Sequence, residues 1–335
     1  MARSSAKPTT ITDVARHAGV SLSTVSRVMN GNPSVDPALV ERVRAVAAEL
    51  GYTASPLARS LVLGRTQTVA VVVPDLGNPT FQAILRGLSR AAATSGFHVL
   101  IADSAEEVAE ERVLAIETRR RTDGLILCAP RMPADELEAL LPVVGPVVLV
   151  NRFAQDAPQV PTVAADYGAA LRGLAEHLYE LGHRRLVYLA GVERSASNAA
   201  RLAALAAFRA EHADITLTEL PSGTDFDSGA AAADEVLATD ATAVLAFNDL
   251  VAMGLLSTVT ARGIRVPDDL SITGFDDIPF ARYTSPPLTT AAVPAEDLGA
   301  RAWRAMNAVL SGEDPDSVRL PPEIVVRGST GIARA

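Results

Sequence analysis

From Thr68 onward, short β-branched apolar runs alternate with alanine-rich amphipathic stretches. The runs at 69–73, 99–102, 124–127, 147–150, 186–190, 243–246 and 271–274 are apolar at nearly every position. A strand with one face in water alternates polar and apolar residues, whereas a strand covered on both faces does not. The stretches between the runs, such as 81–95 and 167–181, have the length and spacing of helices. This alternation predicts open parallel sheets with right-handed crossovers, and the number of units fits two subdomains better than one.

Bulk properties narrow the class further. The 335 residues, 48% of them hydrophobic, suffice for two or three packed domains. No run of about eighteen apolar residues occurs, so no membrane span is implied. The opening MARSSAKPTTITDVARHAGV has basic residues but no apolar segment behind them, which is not the pattern of a secretory signal. The single cysteine, Cys128, excludes a disulfide framework and fits a reducing cytoplasm; in LILCAP it reads as a core residue. The net charge of −9 argues against nucleic-acid binding over the whole surface. Residues 1–65, however, hold eight Arg or Lys and four acids, a net +4 that leaves −13 for the remainder. A basic head on an acidic body is expected where one end alone meets phosphate.

That head, within its first thirty residues, reads as two short helices around a glycine. Thr10 is placed to cap a helix over Ile11–Ala18, with Asp13 in its first turn and Gly19 as its stop. Ser21 is placed to start the second helix. Ala15, Val20 and Val25 are spaced to pack the pair, which leaves Leu22, Ser23, Ser26 and Arg27 exposed. A polar face headed by a helix N-terminus suits base edges and phosphates. Arg27 has the reach for a bidentate contact to guanine, worth about 1–3 kcal/mol of discrimination. Downstream, Ser55-Pro56 reads as a helix start, and the segment after it is too short to be helical alone in water.

The segments TITDVARHAGVSLSTVSRVMNGNPSVD and VERVRAVAAELGYTASPLARSL resemble the head of the lactose repressor family (LacI/GalR type) of bacterial transcription regulators. The resemblance implies base reading by Leu22, Ser23 and Arg27, and phosphate contacts from Thr10, Ser21, Thr24, Ser26 and Asn30. It also implies a hinge helix in which Leu61 wedges into the minor groove with Ala58 near the groove floor. Ala54-Ser55 stands where the family often has Pro-Asn.

Residues 68–330 resemble the same family's core through VVVPDLGNP (71–79), VLVNR (148–152), LAFND (245–249), SITGFDD (271–277) and PPLTT (286–290). The implied architecture is a small all-α helix-turn-helix headpiece (1–54) and a hinge helix with linker (55–66), followed by an α/β periplasmic-binding-protein-like core (67–335). The core divides into an N-subdomain of about 67–164 and 293–322 and a C-subdomain of about 165–292 and 323–335. Ligands in open parallel sheets bind beyond the carboxyl ends of strands. Asn151-Arg152, Asn248-Asp249 and Asp276 each follow a predicted strand. An Asn or Asp there also serves as an Asx-turn or a helix cap, so both roles stay open for Asp249 and Asp277. By resemblance, Arg201 is a pocket arginine, Asn248 and Asp276 bind hydroxyls, and Phe81, Phe226 and Phe247 supply apolar walls. His98, His177, His183 and His212 lack metal-ligand spacing.

These readings predict a transcription regulator, a repressor that binds a palindromic operator DNA as a homodimer. Its expected effector is a small molecule, a sugar or sugar phosphate, with a nucleobase, a nucleoside or a protein co-regulator as alternatives. No heptad tail follows the last predicted strand, so a tail-mediated tetramer is not expected. No cofactor is implied. Phosphate-binding glycine loops, a nucleophile elbow and metal clusters are missing from the sequence, which argues against an enzyme. The basic head argues against a solute-binding protein without DNA function.

Overall fold

Thr10 and Gly19 fix the first helix at both ends in the computed structural model, which describes residues 9–29, 34–52 and 64–334. The chain divides into two compact units, Met1–Gln67 and Thr68–Ala335. Asn30 and the expected hinge, with Ser55, Pro56, Ala58 and Leu61, lie outside the described residues.

The first unit contains α1 (Ile11–Ala18), α2 (Leu22–Met29) and α3 (Pro37–Glu49). Thr10 and Asp13 form a reciprocal capping box on α1, and Gly19 ends it with a positive φ of 65°. Ser21 Oγ accepts the Thr24 amide at 3.1 Å at the head of α2. Asp36 accepts the Ala38 amide at 2.8 Å, and Pro37 occupies the first position of α3. Val14, Ala15, Ala18, Val25, Val28, Val43 and Ala47 make the small core.

The second unit is built on two parallel sheets. The first has six strands: β1 (Thr68–Val73), β2 (His98–Asp103), β3 (Gly124–Cys128), β4 (Val147–Val150), β5 (Thr162–Ala165) and the late β11 (Val318–Leu320), in the order β11-β5-β4-β3-β1-β2. The second has β6 (Arg185–Ala190), β7 (Thr216–Pro221), β8 (Ala243–Ala246) and β9 (Ser271–Thr273), in the order β7-β6-β8-β9. A pair of antiparallel strands, β10 (Thr290–Ala292) and β12 (Glu323–Val325), completes the set. The central strands β3, β4 and β8 are buried at every position, as their unbroken apolar sequences require. β7 was not among the predicted strands. It is an edge strand, its TLTELP is half-exposed along its length, and an apolar run was not needed to cover a second face.

Nine helices flank the sheets among the described residues. They are α4 (Pro79–Thr94), α5 (Val108–Arg119), α6 (Ala134–Val144), α7 (Tyr167–Glu180), α8 (Ala196–Glu211), α9 (Phe226–Ala231), α10 (Ala233–Ala238), α11 (Asp249–Ala261) and α12 (Ala295–Leu310). None is long and apolar enough to cross a membrane. After β10 the chain returns through α12 to the first sheet, where α12 packs against α4. Its last residues are tied to the second sheet. Ser329 Oγ donates to the Ile272 carbonyl at 2.6 Å, and the Ile272 amide donates to the Ser329 carbonyl at 2.9 Å. His183, which reads as a turn residue, is buried with its ring nitrogens at Thr242 Oγ1 and the Gly331 carbonyl.

Candidate reading helix and effector cleft

At the head of α2 the Ser21 hydroxyl lies 2.8 Å from Ser23 Oγ and 2.9 Å from Thr24 Oγ1. Leu22 is 49% exposed, an unusual position for a leucine in so small a core, and Ser23 and Arg27 are exposed beside it. Ser26 is half-buried on the same helix. Thr10 Oγ1 donates to Asp13 Oδ2 at 2.7 Å and so serves its own helix. The described part of the predicted DNA-reading set therefore lies on α2 and the turn before it, with Thr10 at the start of α1.

In the second unit a cavity between the two sheets, about 460 Å³ including its open mouth, is lined by Phe81, Asn151, Arg201, Phe247, Asn248 and Asp276. These come from five separate stretches of chain, at the ends of β4, β8 and β9 and on α4 and α8. Each is held by a local device. Asn151 takes a left-handed φ of 58°, which asparagine tolerates, and its Oδ1 accepts the Ala165 amide at 3.0 Å. Asn248 is the N-cap of α11: its Oδ1 accepts the Val251 amide at 2.8 Å, and its Nδ2 donates to the Thr224 carbonyl at 2.7 Å. It is both a cap and a wall of the cavity. Asp276 sits at φ 107°, a costly conformation for a residue other than glycine. Its Oδ2 accepts from Thr80 Oγ1 at 2.8 Å, which joins the loop after β9 to α4.

Arg201 is the most unusual side chain in the cavity wall. It is 2% exposed, and its guanidinium carbon lies 3.9 Å from the ring centre of Phe275, 4.5 Å from that of Phe247 and 4.8 Å from that of Tyr167. Cation–π attraction from three rings offsets part of its desolvation. Its Nη1 reaches Ser197 Oγ only at 3.5 Å, and its Nε has no partner among the described residues.

The structure does not bring Arg152 and Phe226 into this cavity. Arg152 turns back along its own sheet and donates to the carbonyls of Pro130 and Met132 at 3.4 and 3.3 Å. Phe226 opens α9 and is 45% exposed, while Thr224 lines the cavity two residues earlier. Asp249 and Asp277 both serve structure. Asp249 is fully buried and accepts from Thr290 Oγ1 at 2.7 Å and from the Ile278 amide at 2.8 Å. Asp277 pairs with Arg327 at 2.6 Å. Sequence reasoning missed Asn78, Thr80, Glu106, Arg131, Tyr167 and Ser197, all of which line the cavity. Arg131 carries the same signal as Asn151, a polar residue soon after a buried apolar strand, and the rule applied to β3 finds it.

Burial pushes the Asp276 carboxyl up from 3.8 to about 6, against the opposing pull of Arg201 and the Thr80 hydrogen bond. Between those values the folded chain keeps a proton that the unfolded chain has released, so this group's contribution to stability falls as pH rises through about 6. Asp276→Asn should therefore gain stability relative to the parent between pH 4 and pH 7, by at most about 3 kcal/mol. Urea melts at the two pH values measure this, and a difference independent of pH would contradict the assignment.

Comparison with known proteins agrees with this architecture. Residues 10–55 match the family model described as bacterial regulatory proteins, lacI family, and residues 175–330 match a periplasmic binding protein-like domain. The HTH-type transcriptional repressor CytR of Escherichia coli strain K12 is 34% identical, with 96% of each chain covered. A crystal structure of the lac repressor dimer bound to operator and an anti-inducer superposes with a TM-score of 0.88 at 27% identity, covering 97% of this chain and 100% of that one. The transcriptional regulator CelR in complex with cellobiose has a TM-score of 0.70 at 31% identity, covering 96% and 99%. With a helix-turn-helix headpiece, two parallel sheets around a polar cleft and a full-length match to CytR, the chain belongs to the lacI family of bacterial regulatory proteins.

Proposed function

We propose that this chain, a DNA-binding transcription regulator and not an enzyme, is a cytoplasmic repressor that binds a palindromic operator as a homodimer. Its effector is a small hydroxyl-rich molecule, a sugar or sugar phosphate, held in the cleft at Arg201. The observation that carries the effector half is the buried Arg201 guanidinium with an unpartnered Nε on a cavity that also presents Asp276 and Asn248. An unsatisfied buried donor costs about 1–3 kcal/mol, and a ligand hydroxyl removes that cost. The similar structures point the same way: the lac repressor is a dimer on operator DNA in one, and CelR holds cellobiose in the other.

The mechanism is linkage. An effector with unequal affinity for two arrangements of the sheets shifts the population that binds operator, and a coupling of a few kcal/mol suffices. One head reads too few bases for specificity, so two heads related by a two-fold axis read a palindrome. Fluorescence anisotropy on palindromic DNA selected from a random pool tests the reading, with sugars, sugar phosphates and nucleosides added in turn. The expected result is tight binding that weakens steeply with salt and changes with a sugar. Lack of DNA binding under all these conditions would sink the regulator reading, and a response to nucleosides alone would replace the sugar.

Arg27→Ala should weaken binding to the selected operator by about 1–3 kcal/mol and narrow the gap between operator and random DNA. Equal losses on both DNAs would show that Arg27 reads no base.

A further inference from the structure

We infer that the cleft selects an uncharged effector, and that Glu106 enforces this by occupying the guanidinium of Arg131. The inference rests on the sugar reading above and narrows it to neutral sugars.

Among the described residues, the cavity wall holds two cations, Arg131 and Arg201, and two carboxylates, Glu106 and Asp276. Phosphate recognition needs a cation with free N–H groups, preferably a planar fork that takes two oxygens at once. Arg131 has that fork, but Glu106 already fills it. Nε donates to Glu106 Oε2 at 2.8 Å and Nη2 to Glu106 Oε1 at 3.0 Å. Nη1 donates to the Ala129 carbonyl at 3.2 Å and reaches Ser195 Oγ at 3.3 Å. The guanidinium has five N–H groups, and these four bonds use nearly all of them.

Nor can Arg131 swing away cheaply. Its backbone amide donates to the buried Glu111 carboxylate at 2.7 Å, and its side chain is almost wholly buried. The surroundings of Glu106 are acidic as well: the Asp75 carboxyl is pushed up mainly by burial, and also by the charges of Asp103 and Glu106 nearby. A phosphate entering here must either displace Glu106 from its cation or lie against it. Arg201 keeps a free Nε, but its charge already acts on the Asp276 carboxyl, so a phosphate there lies against a second acid. A neutral hydroxyl faces none of these costs, because it can accept from Arg201 Nε and donate to Asp276.

Isothermal titration of the full-length protein with matched pairs tests this: D-glucose with glucose 6-phosphate, and D-ribose with ribose 5-phosphate, alongside cellobiose. For the wild type, each phosphate ester should bind at least about ten-fold more weakly than its parent sugar. Glu106→Gln, which keeps the shape and removes the charge, should shrink that ratio about ten-fold by freeing the Arg131 fork. An ester that binds the wild type as tightly as its parent overturns the inference, as does an unchanged ratio in folded Glu106→Gln. Should the variant fail to fold, the wild-type ratio decides alone. Sugars binding without charge discrimination would sink this inference and leave the sugar reading standing. If no sugar and no ester binds the wild type, the sugar reading fails and takes this inference with it.

Discussion

Arg201→Met should lower effector affinity at least about 100-fold, close to 2.7 kcal/mol, while the chain stays folded and still binds operator. Methionine approaches the volume of the arginine stem, and its flexible thioether packs well among Phe275, Phe247 and Tyr167, whose ring centres surround the guanidinium at 3.9, 4.5 and 4.8 Å. What disappears is the unpartnered Nε donor and the positive charge that holds down the carboxyl of Asp276. Without that charge, burial drives Asp276 further toward its neutral form, so a ligand loses a donor and an ionised acceptor together. Titration calorimetry reads the affinity, and DNA binding with and without effector reads the response. An effector affinity unchanged in the folded variant would remove Arg201 from the site. A loss of operator binding without effector would assign it a structural role instead.

The second large effect concerns the backbone contact between α4 and α12. A Cβ added at Gly299 would lie 1.9 Å from the Ile84 carbonyl oxygen, and one at Gly87 would lie 2.0 Å from the Glu296 carbonyl oxygen. Both obstacles are main-chain atoms inside helices, so no rotamer change relieves them. Gly299→Val must force the helices apart and loosen the layer in which Ile84, Leu88, Leu298, Ala302 and Trp303 are buried. The expected loss is at least about 3 kcal/mol, at the upper end of overpacking costs. In a unit of this size that is a fall in Tm of roughly 6–12 °C. Gly96→Ala is the control. Gly96 has a φ of 74° with no heavy atom within 4 Å of an added Cβ, so only backbone strain of about 1 kcal/mol applies. Equal losses in the two variants would show that the close helix contact is not what matters at Gly299.

Much of this could be read along the chain. Thr10, Asp13, Gly19 and Ser21 bracket two helices because capping is satisfied within four residues and needs no distant partner. Most buried strands declare themselves because a strand covered on both faces tolerates few polar residues. Two runs depart from this: β5, four residues long and opened by a threonine, is buried throughout but was not predicted, and the apolar run in β2 lies at the sheet edge with Leu100 and Ile101 exposed. Asn151, Asn248 and Asp276 could be placed at a cleft because the ends of parallel strands are where such sheets open. The same rule overreached at Arg152: which way a side chain turns after a strand depends on the partners it finds, and the carbonyls of Pro130 and Met132 take its guanidinium.

Periodicity and capping thus determined the helix-turn-helix, the parallel sheets and the strand ends where a ligand belongs, since each is decided by neighbours a few residues away. The basic head on an acidic body was equally plain from the chain. Only the tertiary structure decided which strand ends face one another. Thr80 meets Asp276 across 196 residues of chain, and Arg131 meets Ser195 across 64. It also decided that Arg201 is buried with a donor unspent, that Asp276 is forced toward neutrality and that Glu106 fills Arg131. Desolvation and pairing depend on what lies within a few ångströms in space, and spacing along the chain does not carry that information.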